Sequence, residues 1–580
     1  MTNSNYSNHH DTVEATPSPL SRFFALLRSE SRDIIILLLL ALISGVLYLA
    51  TPLAVDAVVN NIAFGGQETV YAQALFTLTI ALLIFLLVLG VIRASQHIVM
   101  EIIQRRLVMR IAADMSYRLP RVKYSALDDK MKPDLVNRFF DILTVEKSSA
   151  LLLLEGVNLI LGAIVGLVVL AFYHPFLLLF DIVLIGLILL IIFGPGRKAI
   201  RTKVAESYKK HELAGWLEQI ALYPLLFKSG SGPKMACQRA DQLGHEYLEV
   251  RKAHFQILLQ QIIGFLGLQA FANAALLSIG GYLVLQGELT LGQLVASELI
   301  VAGIVASLSS MGKHLEAFYD ALGSVDKLGY VVDLPIERQG GQPVLDPATE
   351  PKPFEVEFRK MSFDYGPKRP IIKDLSLVIP AGSRVAVTGP LGSGSTSTLD
   401  LLFGLREPTG GQILINGVDL RQWDLREFRS SASLLRYKDL VEGTVLENIL
   451  AGRDDIELGE INAVLDRLNL TDLIAQMDDG LNTCLKAGAW KLSYSSRILL
   501  VLARVLVKSP SMLIVDRFLK ELDFDLRNKI VDELFDQSRP WTLFLSTWDN
   551  ALVDRCDMVI ELTQGYEWSV RYNEKTKGGS

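Results

Sequence analysis

Cysteine is nearly missing from this chain. Three occur in 580 positions, Cys237, Cys484 and Cys556, with no metal-ligand spacing between them. That excludes a disulfide framework and leaves ordinary reduced thiols. Charge is missing locally: Ile34 to Val55 contains no charged residue, too long a run for a signal-peptide core and long enough to span a bilayer. The first 20 residues are polar and no small-residue cleavage site follows that run, so no cleavable signal peptide is expected. A net charge of −6 on this length singles out no partner class, and a nucleic-acid partner is not expected.

What is present in excess is apolar residues, half of the chain, concentrated in the first 310 positions. Mean hydropathy is +0.33, high for a purely soluble protein. Uncharged stretches recur after the first, and Pro175 after His174 predicts a tight turn between two of them. The reading is six spans in three hairpins, at about 34–56, 72–93, 151–172, 176–196, 258–286 and 291–312. The short connections 57–71, 173–175 and 286–290 hold no Lys or Arg, whereas 93–147 and 197–254 are rich in both. By the positive-inside rule the long connections and both termini are expected in the cytoplasm, with the chain an integral protein of the plasma or inner membrane. Their periodicity predicts helices that run well beyond the bilayer. Residues 19–30, after a polar tail over 1–18, read as an interfacial amphipathic helix. Glu155, Asp181 and Glu298 fall in or beside the spans, where a charge is costly; each is a functional candidate, or else lies near a headgroup region or pairs across the bundle.

The membrane portion is thus 19–331, an all-α domain. Residues 332–353, VDLPIERQGGQPVLDPATEPKP, have a linker's composition. From 354 to 580, short apolar runs alternate with helical segments, the pattern of an α/β domain. Within it GPLGSGSTSTLDLL carries G-x-x-x-x-G from Gly389 to Gly394, after the apolar run Val385–Thr388 and before a leucine-rich segment. This is the outline of a phosphate-binding loop, with Ser395 where the lysine belongs.

The landmarks that follow come in a recognisable order: VEFRKMSFDY, the loop itself, LVEGTVLENIL, LSYSSRILLVLARVLVKSPSMLIVD, KELD and FLSTWDN. In this order and spacing the chain resembles an exporter-type half-transporter of the ATP-binding cassette (ABC) family, over essentially everything after residue 18. The resemblance implies adenine stacking on Tyr365 and phosphate contacts at Gly389, Gly392, Gly394, Ser395, Thr396 and Ser397. It implies magnesium at Thr396 and Asp516, and a contact from Ser493 to a partner's nucleotide. It also implies coupling segments near 119–128 and 216–228.

The catalytic positions depart from the family pattern. Ser395 replaces the phosphate-binding lysine, Arg517 the glutamate that polarises water, Trp548 the switch histidine and Arg436 the Q-loop glutamine, and the signature is Leu492-Ser493-Tyr494-Ser495-Ser496. Backbone N–H groups of the loop still attract phosphate. Arginine stays protonated and cannot act as a base, and an indole has no ionisable group. ATP and Mg²⁺ binding is therefore expected to be weak or absent, and hydrolysis by this site is not expected. Arg436 and Arg517 either substitute in part for the lysine, or act as counter-ions that hold the pocket shut, or record drift after the site lost its use. The expected function is a degenerate half of an exporter, in a heterodimer with an intact half or in a homodimer. The alternative is a non-pumping regulatory or scaffold subunit. The substrate is open.

Overall fold

The computed structural model describes residues 18–63, 68–128, 132–343, 352–366, 370–436, 440–486, 492–518, 524–564 and 566–573. The KELD segment and much of the proline-rich connection lie outside the described residues. Spatial contacts divide the chain into two units, Met1–Arg121 with Asp129–Leu334, and Val122–Asp128 with Pro335–Ser580.

The first unit is helical. A short helix, Pro19–Arg28, starts where Ser18 accepts a hydrogen bond from the Ser21 amide at 3.2 Å and proline fills the first helical position. Three helices are very long: Glu68–Arg118, Pro175–Leu222 and Gly232–Leu285, of 51, 48 and 54 residues. At about 1.5 Å per residue each exceeds twice the hydrocarbon thickness. Among the described residues, five helical stretches are long and apolar enough to cross a membrane: Ser31–Asn60, Leu75–Arg121, Leu135–Tyr173, Pro175–Leu222 and Gly232–Leu285. A further apolar helix, Leu291–Ser309, follows.

The turn read at His174-Pro175 has a physical cause. His174 is extended, at φ −160° and ψ 145°, and its Nδ1 accepts the Phe176 amide at 3.2 Å, with proline starting the next helix. Leu170, Leu177, Phe265, Leu268, Ala272, Leu276 and Val301 form the buried interior of the bundle. Helix Ser31–Tyr48 meets helix Val157–Tyr173 at Gly45, where an added Cβ would lie 3.5 Å from the Gly162 backbone. A π-helical turn, Leu152–Gly156, interrupts the approach to Val157–Tyr173 and carries Glu155.

The second unit is α/β. Among the described residues, strands β1 (Val356–Asp364), β2 (Pro370–Ile379), β3 (Arg384–Thr388), β4 (Gly410–Ile415), β5 (Val418–Asp419), β6 (Ala432–Leu435), β7 (Gly443–Thr444), β8 (Cys484–Leu485), β9 (Met512–Asp516), β10 (Thr542–Ser546), β11 (Met558–Leu562) and β12 (Trp568–Tyr572) form three sheets. The six-stranded sheet has the order β12-β11-β3-β10-β9-β6, parallel from β11 to β6 and closed by antiparallel β12. An antiparallel sheet, β2-β1-β4-β5, packs a second core around Phe354, Phe358, Leu375 and Phe428. Strands β9 and β10 are buried throughout, which explains their uninterrupted apolar sequences. Residues 335–343 belong to this unit. The Ile336 region pairs with Val122, and the Arg338 guanidinium donates to the carbonyls of Leu420 and Trp423 at 2.6 and 2.8 Å.

Candidate functional site

In a parallel sheet the carboxyl ends of the strands face one edge, and ligands gather there. Here that edge assembles the loop after β3, Arg436 after β6, Asp516 ending β9 and Trp548 after β10. The loop leads into helix Ser395–Leu402 through Gly394, which sits in the left-handed region at φ 99°.

Register places Arg436 beside Asp516. Strand β6 pairs in parallel with β9, with Leu435 opposite Val515, so the next residue of each strand is a neighbour. Arg436 Nε donates to Asp516 Oδ2 at 2.7 Å, and its Nη1 lies 2.7 Å from Asp400 Oδ1. The three side chains are 9, 4 and 4 % exposed. Burial opposes the guanidinium charge, yet Asp400 and Asp516 outweigh burial and hold Arg436 above the ordinary arginine range. The other oxygen of Asp516 accepts from the Thr396 hydroxyl at 3.4 Å.

The ion pairs continue. Asp400 Oδ2 lies 3.3 Å from Arg406 Nε, and Arg406 binds Asp128 with both terminal nitrogens, at 2.6 and 2.8 Å. Burial works against the charge of Arg406 too, but the Asp128 hydrogen bonds raise it well above its usual range. The Arg406 guanidinium stands 4.6 Å from the Tyr365 ring centre and 5.3 Å from that of Tyr124. Tyr365 Oη and Ser397 Oγ are 3.0 Å apart.

Magnesium held by Thr396 and Asp516 would draw on the Asp516 carboxylate, whose Oδ1 faces the Thr396 hydroxyl but whose charge is shared with Arg436. One of its oxygens is already bonded to a fixed cation, and Asp400 is held by the same cation. The residues present do not fit a magnesium site.

Of the other positions read from sequence, Arg517 is exposed at φ 54°, with its guanidinium 5.5 Å from the Trp548 ring centre. Trp548 itself is half exposed. Arg436 and Arg517, alike in the sequence, therefore sit in opposite environments. Ser395 is buried. Ser493 caps helix Tyr494–Leu506, its Oγ accepting the Ser496 amide at 3.0 Å and lying 2.7 Å from Ser496 Oγ. Sequence reasoning passed over Asp128, Asp400 and Arg406. The one available signal was that an arginine at position 436, beside a strand-end aspartate, requires further carboxylates to be buried.

The helical unit carries a partly open cavity of about 750 Å³. Its wall is mostly apolar, with Arg93, His97, Lys147, Glu155 and His314 among the lining side chains. Gln96 and Asn158 face it as a reciprocal amide pair, bonded at 3.2 and 3.0 Å. Glu155 pairs with Lys313 at 3.3 Å and lies 3.6 Å from His314 Nε2. Among the described residues, Arg93 and Lys147 have no ion-pair partner. Asp181 is buried with both carboxylate oxygens unbonded and is not part of the cavity wall, and neither is Glu298.

Comparison with known proteins gives consistent matches. Residues 34–214 match the ABC transporter transmembrane region and residues 372–518 match the ABC transporter domain, together more than half of the chain. A fatty acid ABC transporter ATP-binding/permease protein of Mycobacterium bovis is 26 % identical over 504 residues, covering 86 % of this chain and 79 % of that protein. An ATP-dependent lipid A-core flippase of Burkholderia orbicola is 30 % identical over 278 residues, 46 % of each chain. Among solved structures, a bacterial Atm1-family ABC exporter with ATP bound superposes with a TM-score of 0.76, over 93 % of this chain and 94 % of that one, at 21 % identity.

Proposed function

The chain belongs to the ABC transporter family, a helical transmembrane domain fused to an α/β nucleotide-binding domain, and we propose that it is the catalytically degenerate half of a paired exporter. The observation that carries this reading is the state of the Asp516 carboxylate. In a working site it would serve metal and nucleotide; here it is bonded to Arg436, while Ser395 and Arg517 stand where a cation and a base are needed. Hydrolysis at a second half's intact site would then drive transport through a path shared by both. Pairing is supported by the short helix Pro224–Lys228: Leu225 is 84 % and Leu226 56 % exposed, while Phe227 packs edge-on against Trp216 at 5.5 Å. Two such exposed leucines at the tip of a long helical extension suit a partner's surface. The nucleotide-binding domain and termini are assigned to the cytoplasm by the lysine and arginine bias of the long connections.

For substrate, the cavity suits an amphipathic molecule with an anionic end. Its apolar wall takes a hydrocarbon body, and the unpaired Arg93 and Lys147 take a negative group. The Mycobacterium bovis relative, by its name a fatty acid transporter, is of that chemistry. A second reading, a non-pumping scaffold, is favoured by one observation: the Ser493 hydroxyl is used to cap its own helix.

The test is to tag the chain in its native membrane, solubilise it gently and identify what copurifies by mass spectrometry. A second half-transporter that keeps the phosphate-loop lysine and the water-polarising glutamate, in equal amount, supports the paired exporter. Recovery alone or as a homodimer defeats ATP-driven pumping and leaves the scaffold.

A further inference from the structure

We propose that Arg436 is the resident cation of this nucleotide site: it takes the place of the divalent metal ion, so that the site neither holds such an ion nor needs one. The inference deepens the degenerate-half reading and rests on it. Two buried carboxylates, Asp516 and Asp400, require counter-charge, because an uncompensated charge in the interior is costly. A metal ion would supply that charge from solution. Here the chain supplies it, through a guanidinium within 2.7 Å of both. Arginine suits the task because it cannot lose its proton and its planar fork serves two carboxylates at once.

The arrangement is closed on itself. Asp128, Arg406, Asp400, Arg436 and Asp516 alternate in sign along one connected chain, so each carboxylate in it has a guanidinium beside it, although Asp400 Oδ1, 2.7 Å from Arg436 Nη1, has no hydrogen bond aligned on it. A divalent cation approaching Asp516 would meet the guanidinium on the same carboxylate. Arg436 with its two aspartates sums to −1, where an intact site would set a lysine and a metal ion against the phosphates. One donor remains: Arg436 Nη2 is buried without a hydrogen-bond partner, able to meet an anionic oxygen. Nucleotide that enters therefore meets loop amides and this Nη2 group, and gains nothing from magnesium.

The experiment uses the full chain in lipid nanodiscs, with any partner that copurifies. Bound Mn²⁺ is counted by electron paramagnetic resonance, with and without the fluorescent nucleotide MANT-ATP. Subtracting the Asp516→Asn count isolates ions at this site from those at a partner's. The expected result is no difference between wild type and Asp516→Asn, and a MANT-ATP affinity at this site that Mg²⁺ changes by less than about twofold. Arg436→Gln should gain about one Mn²⁺ per chain, lost again when Asp516→Asn is added. Wild-type Mn²⁺ that Asp516→Asn removes would overturn the proposal, as would an Arg436→Gln chain that folds and gains none. Should Arg436→Gln not fold, the wild-type subtraction decides alone, and Arg436→Lys, which keeps the charge, is expected to match wild type. ATPase assays of the assembled transporter report on the paired-exporter reading separately, because metal absence here is independent of hydrolysis at another site.

Discussion

Replacing Arg436 with methionine puts a number on the ion-pair chain. Asp400 keeps Arg406 at 3.3 Å, but Asp516 keeps only the Thr396 hydroxyl at 3.4 Å. One buried carboxylate is thus left bare, not two, and the expected cost is about 3–5 kcal/mol. For a domain of this size each kcal/mol moves the melting temperature by about 2–4 °C, so Arg436→Met should melt about 10 °C lower. Hydrogen exchange in peptides covering Ala432–Leu435 and Met512–Asp516, measured by mass spectrometry in nanodiscs, localises the loss to the two strands that carry the pair. Adding Asp516→Asn removes the orphaned charge, so the double variant should regain at least about 2 kcal/mol over the sum of the single ones. The bare carboxylate of Arg436→Met would be driven toward its protonated form by burial; the folded state then takes up a proton before the unfolded one does, and the variant regains stability as pH falls. A single variant within about 1 kcal/mol of wild type, or a strictly additive double variant, would refute the reasoning.

Four further outcomes are expected. Restoring Ser395→Lys, Arg517→Glu and Trp548→His together should leave this site without hydrolysis while Arg436 remains, and adding Arg436→Gln should raise turnover above background; phosphate release from the full chain in nanodiscs, with the site of any copurifying partner disabled, reads this. Arg93→Gln with Lys147→Gln should weaken binding of a fatty acid anion by about tenfold or more and leave the matching alcohol unchanged, by fluorescence displacement. Lys508 is held by the carbonyls of Arg429 and Ala432, and burial brings its amine down from 10.5 to about 8. Between those pH values the unfolded chain carries a proton that the folded chain lacks, so stability rises with pH there, by about 3 kcal/mol in total; melting of Lys508→Met should lack that rise. Ser493→Ala removes a helix cap and should cost about 1 kcal/mol, read as faster exchange in the first turn of Tyr494–Leu506.

Most of the fold was legible because bilayer spans and parallel strands write themselves into composition. The charge-free run from Ile34, the His174-Pro175 turn and the buried strand Met512–Asp516 each have a local cause. The site was legible only in part. Positions 395, 436, 517 and 548 stand out one at a time, but the partners of Arg436 do not, since Asp400 lies 36 residues upstream on a helix and Asp128 is 278 residues from Arg406. Local sequence carries no record of such pairings. Nor does it show that Val122–Asp128 folds with the second unit, where Lys123 donates its amide to Pro335 at 2.8 Å.

The part of the phosphate loop that persists is the part the fold itself requires. At Gly394, with φ 99°, a Cβ would stand 2.4 Å from Ile371 Cγ2, and at Gly389 one would stand 2.3 Å from the Leu562 carbonyl oxygen. Both glycines are demanded by packing and backbone conformation whether or not a nucleotide ever binds. Ser395, by contrast, is a buried residue at the first position of the helix that follows. The surviving G-x-x-x-x-G pattern therefore testifies to the strand-loop-helix geometry and not to affinity for ATP. Gly394→Ala should then destabilise the chain by at least about 2 kcal/mol, from strain and overlap together. The loss should be the same in the presence of ATP and Mg²⁺ as in their absence. A loss that ATP and Mg²⁺ enlarge, by stabilising wild type alone, would show that the loop still earns its glycines by binding.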